Sequence, residues 1–428
     1  MRHTTSRYWF GLPLSLAGGY VGLFMFMAGD GFELAFLSKF IVSIGFTQAD
    51  ASLVITVYGL AAALSAWASG VIAEAISPLK TMKIGLALWL IFHVLFLWLG
   101  LKQANFTLIM LCYALRGIAY PLFCYGFLLM IVQNVKQENV SAASGWFWAA
   151  YSLGIGVIGS GLPGLLIPVT GEFNMLCISL LFVAASGAIA FTSLRGISHH
   201  SALQNASLST RLKELPKAAT LLIHNRSIAW AFMVRVINQL AVFGFSVIMP
   251  FHFMKIGFTL ATWLQVWAIF FASTIVFNIF WGIVAEKCGL LQVVRWFGCV
   301  GCGMACLLFY YIPLYVGPEY WAAVMCSLLL GFFMAAFVPM TALFPRLAPD
   351  HQGAAISIYN LAAGMSNFVA PAIATLALPL LEVKGVVFIY SGCYFAGALI
   401  TLLICLEPQS RSQVPDFSAA SGDSSGNH

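Results

Sequence analysis

Asp30 and Glu33 stand three residues apart in FMFMAGDGFELAF (24–36), a run otherwise as apolar as the middle of a membrane helix. An ionised acid at a helix centre costs about 2.5 to 3.5 kcal/mol on insertion scales, so such residues face a protein interior or a watery cavity, not lipid. Of the fourteen acidic residues these two lie well inside an apolar stretch; of the twenty basic residues only Arg116 and Arg235 lie as deep. Burial favours the neutral acid and a nearby guanidinium favours the carboxylate, so a small change in either switches the acid between charge states. Arginine stays protonated, which makes the acid the mobile site.

The elements that must hold these charges are membrane helices. Of the 428 residues, 61% are hydrophobic and 8% charged, against about 25% charged in a soluble domain, which excludes a water-soluble fold. Stretches able to cross about 30 Å of hydrocarbon recur twelve times, near 12–39, 50–76, 80–101, 106–134, 140–167, 172–194, 228–254, 260–286, 290–312, 319–346, 350–380 and 385–406. With both termini in the cytosol, fourteen basic residues fall on the inner side and four on the outer, a strong positive-inside asymmetry. The net charge of +6 therefore reports orientation, and nucleic acid is not an expected partner. The ten cysteines are scattered; Cys299 and Cys302 form a C-x-x-C with no second pair and no histidine at ligand spacing. They read as packing residues, and neither a metal nor another cofactor is expected.

On this topology Asp30 and Arg116 both sit about 14 to 15 Å below the outer surface, at 1.5 Å per residue, and they can meet. Glu33, at i+3 from Asp30, is expected on the same face one turn outward. Proton coupling is accordingly assigned to Asp30, Glu33 and Arg116, against the alternative of a static ion pair between the first and fourth helices.

The segment 195–227 is polar and divides six predicted helices from six. The halves repeat: IGFT (44–47) returns at 256–259 and GVIAE (70–74) as GIVAE (282–286), both at an offset of 212, while Gly145, Tyr151, Gly156 and Pro163 match Gly353, Tyr359, Gly364 and Pro371 at 208. A duplicated six-helix unit follows, and repeat-built carriers bind near the midplane and rock one unit against the other. The expected organisation is a bundle over 1–194, a cytoplasmic linker over 195–227, a second bundle over 228–406 and a disordered cytoplasmic tail over 407–428.

GVIAEAISPLK (70–80) and GIVAEKCGLLQ (282–292) resemble the loop signature of the major facilitator superfamily, with Glu74 and Glu286 in place of its aspartate and Ser77 in place of a glycine. MAGDGFELAFLSKF (27–40), YGLAAALSAW (58–67), GWFWAAYSLGIGVIG (145–159), WLQVW (263–267), RWFGC (295–299) and GAAISIYNLAAGMSNFVAPAIA (353–374) more specifically resemble the polyol permeases, bacterial carriers of ribitol and D-arabinitol. The resemblance implies an all-α membrane protein of twelve transmembrane helices in two pseudo-symmetric six-helix bundles, set in the bacterial inner membrane. It also implies proton-driven uptake of a pentitol. The sequence has no aspartate-rich metal motif, H-E-x-x-H, nucleophile elbow or P-loop, so no enzymatic activity is expected, and a monomer is expected.

The resemblance further implies which helices line the cavity. On the seventh, VRVINQLAVFGF places Arg235 beside Asn238 and Gln239; amides both donate and accept, as polyol hydroxyls do, whereas arginine only donates. Arg235 snorkelling to the cytosol is the competing placement. Gln265, Trp267 and Asn278 on the eighth helix, Tyr359, Asn360 and Asn367 on the eleventh, and Trp146, Trp148 and Tyr151 on the fifth complete the expected substrate contacts. His93, on the third and peripheral helix, is left out. The runner-up is an organic-anion or sugar-phosphate exchanger of the same fold, with Arg116 and Arg235 clamping the anion.

Overall fold

The computed structural model describes residues 8–9, 12–135, 140–197, 220–348 and 352–405. Most of the expected linker and the whole of the expected tail lie outside the described residues, as do the side chains of Glu74 and Glu286. Ten helices among the described residues are long and apolar enough to cross a membrane. One, Ile358–Leu403, is 46 residues long and is broken by non-helical backbone at Glu382 (φ 55°, ψ −172°), so it is two crossings, the eleventh and twelfth. A further crossing is discontinuous: Ala17–Gly31 and Leu37–Ser43 together make the first span. The twelve segments predicted from hydropathy are thereby accounted for.

The repeated IGFT has a local reason. Gly45 (φ 110°) and Gly257 (φ 111°) take left-handed backbone, which glycine adopts without steric cost. Two residues on, Thr47 caps Gln48–Ile76, its hydroxyl accepting from the Asp50 N–H at 3.1 Å, and Thr259 caps Leu260–Cys288 by accepting from Thr262. Both copies thus start a long helix on the same end of the molecule, the second span in one half and the eighth in the other.

Four spans are interrupted. Helical structure is lost at 32–36 in the first span, at Ile118 in the fourth (Phe106–Asn134), at Gln239 in the seventh (Arg226–Ile256) and at 336–339 in the tenth (Tyr320–Leu347). Breaks of this kind are tolerated at membrane depth only where backbone is buried in protein or lines a cavity.

The two halves are joined unevenly. One continuous apolar cluster runs from Phe36, Ile41 and Val54 of the first half to Val247, Trp263 and Phe309 of the second, whereas Leu16, Phe26, Phe123 and Phe147 form a separate cluster within the first half. Cross-half hydrogen bonds lie at the IGFT end: Ser38 to the Val247 carbonyl (2.9 Å), Trp263 to the Ala35 carbonyl (2.7 Å), Ser52 to the Pro371 carbonyl (2.8 Å) and Thr56 with Thr375 (3.1 Å). The opposite end holds a cleft of about 240 Å³ lined by Trp67, Ser69, Tyr125, Val132 and Asn360. The molecule is therefore sealed at one end and cleft at the other. Large apolar side chains such as Trp321, Leu165, Val276 and Leu380 are well exposed on its flanks, as lipid contact requires.

Candidate functional site

The break at 32–36 shapes the charged site. Helix stops after the glycine-rich AGDG, since glycine is a poor helix former, and Glu33 falls in the turn instead of continuing the face of Asp30. On the fourth span Tyr113, Arg116 and Tyr120 share one face, and Gly117 lets that span approach the second: a Cβ there would stand 2.7 Å from the Tyr58 carbonyl oxygen. The result is a buried triad, with Arg116 1%, Glu33 3% and Asp30 6% exposed.

Arg116 makes a two-pronged pair with Glu33, Nη1 donating to Oε2 at 2.9 Å and Nη2 to Oε1. Asp30 Oδ1 lies 3.6 Å from Nη2, in ionic contact but beyond a hydrogen bond. Asp30 and Arg116 meet, as expected; the expectation corrected is that of Glu33 on the same helical face, since the turn swings Glu33 onto the guanidinium and makes Asp30 the secondary anion. Asp30 instead accepts from the Trp89 indole N–H at 2.6 Å and lies 3.5 Å from the Tyr58 hydroxyl.

His93 is also corrected, from the periphery to the core of the site. It is fully buried, and its Nδ1 contacts Arg116 Nη1. Arginine only donates, so Nδ1 accepts; the ring proton then sits on Nε2, which faces the Leu176 carbonyl at 3.0 Å and the Ser179 hydroxyl at 2.9 Å. The signal available in the sequence was spacing: Trp89 and His93 are i,i+4 on one face, and their rings stack with centroids 4.4 Å apart. Tyr113 and Trp89 place their rings 4.6 and 5.0 Å from the guanidinium carbon, a cation–π enclosure that lowers the cost of burying it.

Asp30 and Glu33 of the triad line a narrow cavity together with Tyr58, Tyr113, Tyr120, Tyr151, Ile155, Phe243 and Asn367, too small in this conformation to hold a pentitol. Of the expected substrate contacts, Tyr151 and Asn367 are there. The tyrosines of the second and fourth spans were not anticipated; hydropathy reads them as ordinary aromatic packing.

A second polar group is separate from the triad. Arg235 is 7% exposed, which excludes the snorkelling placement. It donates to the Asn238 side-chain oxygen, and its guanidinium carbon lies 4.4 Å from the Tyr359 ring centre. Its Nε is buried with no hydrogen-bond partner. Asn360 lines the larger cleft. Gln239, Gln265 and Asn278 are half-buried and line neither cavity. Trp267 is fully buried, stacked between Trp263 and Phe270, its N–H without an acceptor. Trp148 is 38% exposed with its ring edge-on to Tyr151 at 5.5 Å, and Trp146 packs beside Trp9; only Tyr151 of the three lines a cavity, which corrects the expectation for the two tryptophans.

A buried ion triad beside a cavity, between two halves sealed at one end of a bundle of membrane-crossing helices, is the arrangement of a membrane carrier. The sequence pattern of the Major Facilitator Superfamily matches residues 19–273 and 263–423, and the chain belongs to that superfamily. It is 53% identical over 403 residues to a ribitol transporter of Klebsiella pneumoniae, covering 94% of both chains, and 53% identical to a D-arabinitol transporter of the same organism, covering 94% and 95%. An alpha-ketoglutarate permease of Bacillus subtilis (strain 168) is 36% identical over 400 residues, covering 94% of this chain and 91% of the relative. The fold is similar to a solved peptide transporter, POT, in complex with sulfate, with a TM-score of 0.72 over 93% of this chain and 96% of that one at 14% identity.

Proposed function

We propose that the chain imports a sugar alcohol, ribitol or D-arabinitol, by proton symport with alternating access. The observation that carries the proton assignment is the partner set of Asp30. Its indole donor at 2.6 Å serves an acid as well as a carboxylate, and the Tyr58 hydroxyl at 3.5 Å can donate to the one or accept from the other. Glu33, holding Arg116 with both oxygens, needs its charge. Asp30 is then the carboxyl that gains and loses the proton, and Glu33 the fixed counter-ion that keeps Arg116 buried.

Substrate hydroxyls meet the phenols of Tyr58, Tyr120 and Tyr151 and the amide of Asn367 around the same cavity; Arg235 and Asn238, which line neither cavity in this conformation, reach the substrate when the halves rearrange. Both termini lie in the cytosol of a bacterial cell with this carrier in its inner membrane, so the sealed IGFT end is extracellular and the cleft opens inward. The bundles are 1–194 and 228–406, joined by the 195–227 linker, and the carrier works as a monomer.

A second reading is organic-anion exchange, favoured by the relative named an alpha-ketoglutarate permease and by the free Nε of Arg235. Asp30 and Glu33, lining the cavity, disfavour an anion there. Counterflow in proteoliposomes against pentitols, hexitols, pentoses, sugar phosphates and 2-oxo acids, with and without a pH gradient, decides. Pentitol exchange that becomes accumulation only with an inward proton gradient is expected. Exchange restricted to the anions overturns the proposal, and pentitol accumulation indifferent to the gradient removes the proton.

A further inference from the structure

We propose that His93 is a positioning residue for the proton site, holding Arg116 on Glu33 and so keeping the guanidinium off Asp30. The inference rests on the reading of Asp30 as the proton-carrying acid. His93 reaches the triad from the third span and is anchored behind by the sixth (Glu172–Ser193), through the Leu176 carbonyl and the Ser179 hydroxyl, which itself donates to that carbonyl at 2.6 Å. A buried histidine fixed in one tautomer presents its Nδ1 lone pair to Nη1 in a defined place, as an orienting partner does for a metal-bound or catalytic group.

The geometry around the guanidinium makes that restraint consequential. Nη1 is shared between Glu33 and His93; Nη2 serves Glu33 and lies 3.6 Å from Asp30; Nε has no partner. A shift of under an ångström about the Glu33 carboxylate would turn the Asp30 contact into a charge-assisted hydrogen bond, and the fork geometry of arginine permits it. The charged and titratable groups facing this centre, besides His93 itself, are Asp30 and Glu33 from the first span, Tyr58 from the second, Tyr113, Arg116, Tyr120 and Cys124 from the fourth, and Tyr151 from the fifth. Among them only Asp30 is an acid without a two-pronged partner, so it is where a released guanidinium goes. The first span thus spaces its two carboxylates so that one is spent on the cation and the other is left to the proton, and the third span enforces the choice.

The test is the external-pH profile of ribitol uptake in proteoliposomes, with ribitol counterflow as a gradient-independent control. His93→Phe keeps a ring against Trp89 and removes the acceptor. Arg116 then pairs with Asp30, its carboxylate is stabilised, and more protons are needed to load it: the half-maximal pH of uptake moves down by about one unit, a tenfold change in proton affinity. Counterflow stays within about threefold at the most acid pH, as it would not if the variant had simply lost its structure. Ser179→Ala, which leaves the ring and weakens its anchor, shifts the profile in the same direction by less, and decides the matter if His93→Phe does not assemble. An unchanged midpoint in the assembling variant overturns the inference while leaving proton symport intact. A wild-type profile flat in pH removes both, and it is seen before any variant is made.

Discussion

Arg116 places both terminal nitrogens on Glu33 and leaves Asp30 3.6 Å away, on the indole of Trp89. Two carboxylates three residues apart therefore have different partners. Because Asp30 is the one whose partners tolerate a proton, Asp30→Asn should uncouple the carrier without disabling it. The amide oxygen still accepts from Trp89, so counterflow of ribitol remains within about fivefold of wild type, a loss of under about 1 kcal/mol of barrier. Accumulation driven by an inward proton gradient disappears. Uphill uptake persisting in proton-loaded vesicles would rule out Asp30 as the coupling acid.

Glu33→Gln is the contrasting change. It removes the main counter-ion of a guanidinium that is 1% exposed, and breaking a buried pair from one side typically costs about 3 to 5 kcal/mol. Part is recovered as Arg116 moves the short distance to Asp30, so the expected loss is about 2 to 3 kcal/mol on that scale, read as a lower unfolding temperature in detergent. The new pairing favours the Asp30 carboxylate, and whatever uptake remains shifts to lower pH. An unfolding temperature equal to wild type would show that Glu33 is not the principal partner.

Much of this was legible in the residues. Apolar runs marked the twelve spans, and the repeated IGFT marked the two turns where a left-handed glycine and a threonine cap start a helix. Asp30, Glu33 and Arg116 stood out because charge in hydrocarbon is costly. What stayed hidden was the break at 32–36, a tertiary choice that swaps the acids, and the neutral partners around them. Trp89, His93, Tyr58 and Tyr113 have the same composition as lipid-facing or packing aromatics, and nothing in a single chain separates the two until helices are placed side by side. Trp148 failed in the opposite sense: it shares a motif with Tyr151 and packs edge-on against its ring at 5.5 Å, yet it lines neither cavity.

The seal at the IGFT end depends on a close helix crossing. A Cβ on Gly59 of the second span would stand 2.0 Å from the Asn367 carbonyl oxygen of the eleventh, so Gly59→Val must push the halves apart beside the Ser52, Thr56 and Thr375 hydroxyl contacts. The expected outcome is a shift toward the conformer open at that end. A cysteine introduced at Thr375 should be alkylated from outside at least fivefold faster in the Gly59→Val background. Equal labelling rates would mean that this crossing does not gate access.

Ser77 ends the long second span with φ 105°, where Gly289 ends its counterpart, the eighth, with φ 95°. A side chain held in such backbone costs about 1 to 3 kcal/mol, offset in part here by the Ser77 hydroxyl accepting from the Lys80 N–H at 3.3 Å. Ser77→Gly should therefore stabilise the carrier by about 1 kcal/mol, after the greater backbone freedom of glycine in the unfolded chain is subtracted. Thermal unfolding in detergent measures it, and a destabilised variant would show that the hydroxyl cap outweighs the strain.

Arg235 tests the second half. Its guanidinium lies over Tyr359, donates to Asn238 and keeps a buried Nε unpartnered, a donor that the proposed rearrangement of the halves would turn to a polyol hydroxyl. Arg235→Lys retains the charge but loses the planar stack and the fork. One charge-assisted hydrogen bond lost is worth about 1.5 to 3 kcal/mol, or roughly tenfold to a hundredfold in affinity. The KM for ribitol should rise by that factor with the pH midpoint unmoved, because the proton site lies in the other half. A pH shift without a change in KM would place Arg235 in coupling instead of binding. A neutral Arg235→Gln separates the anion reading further: it should abolish transport of a 2-oxo acid but only weaken that of a pentitol.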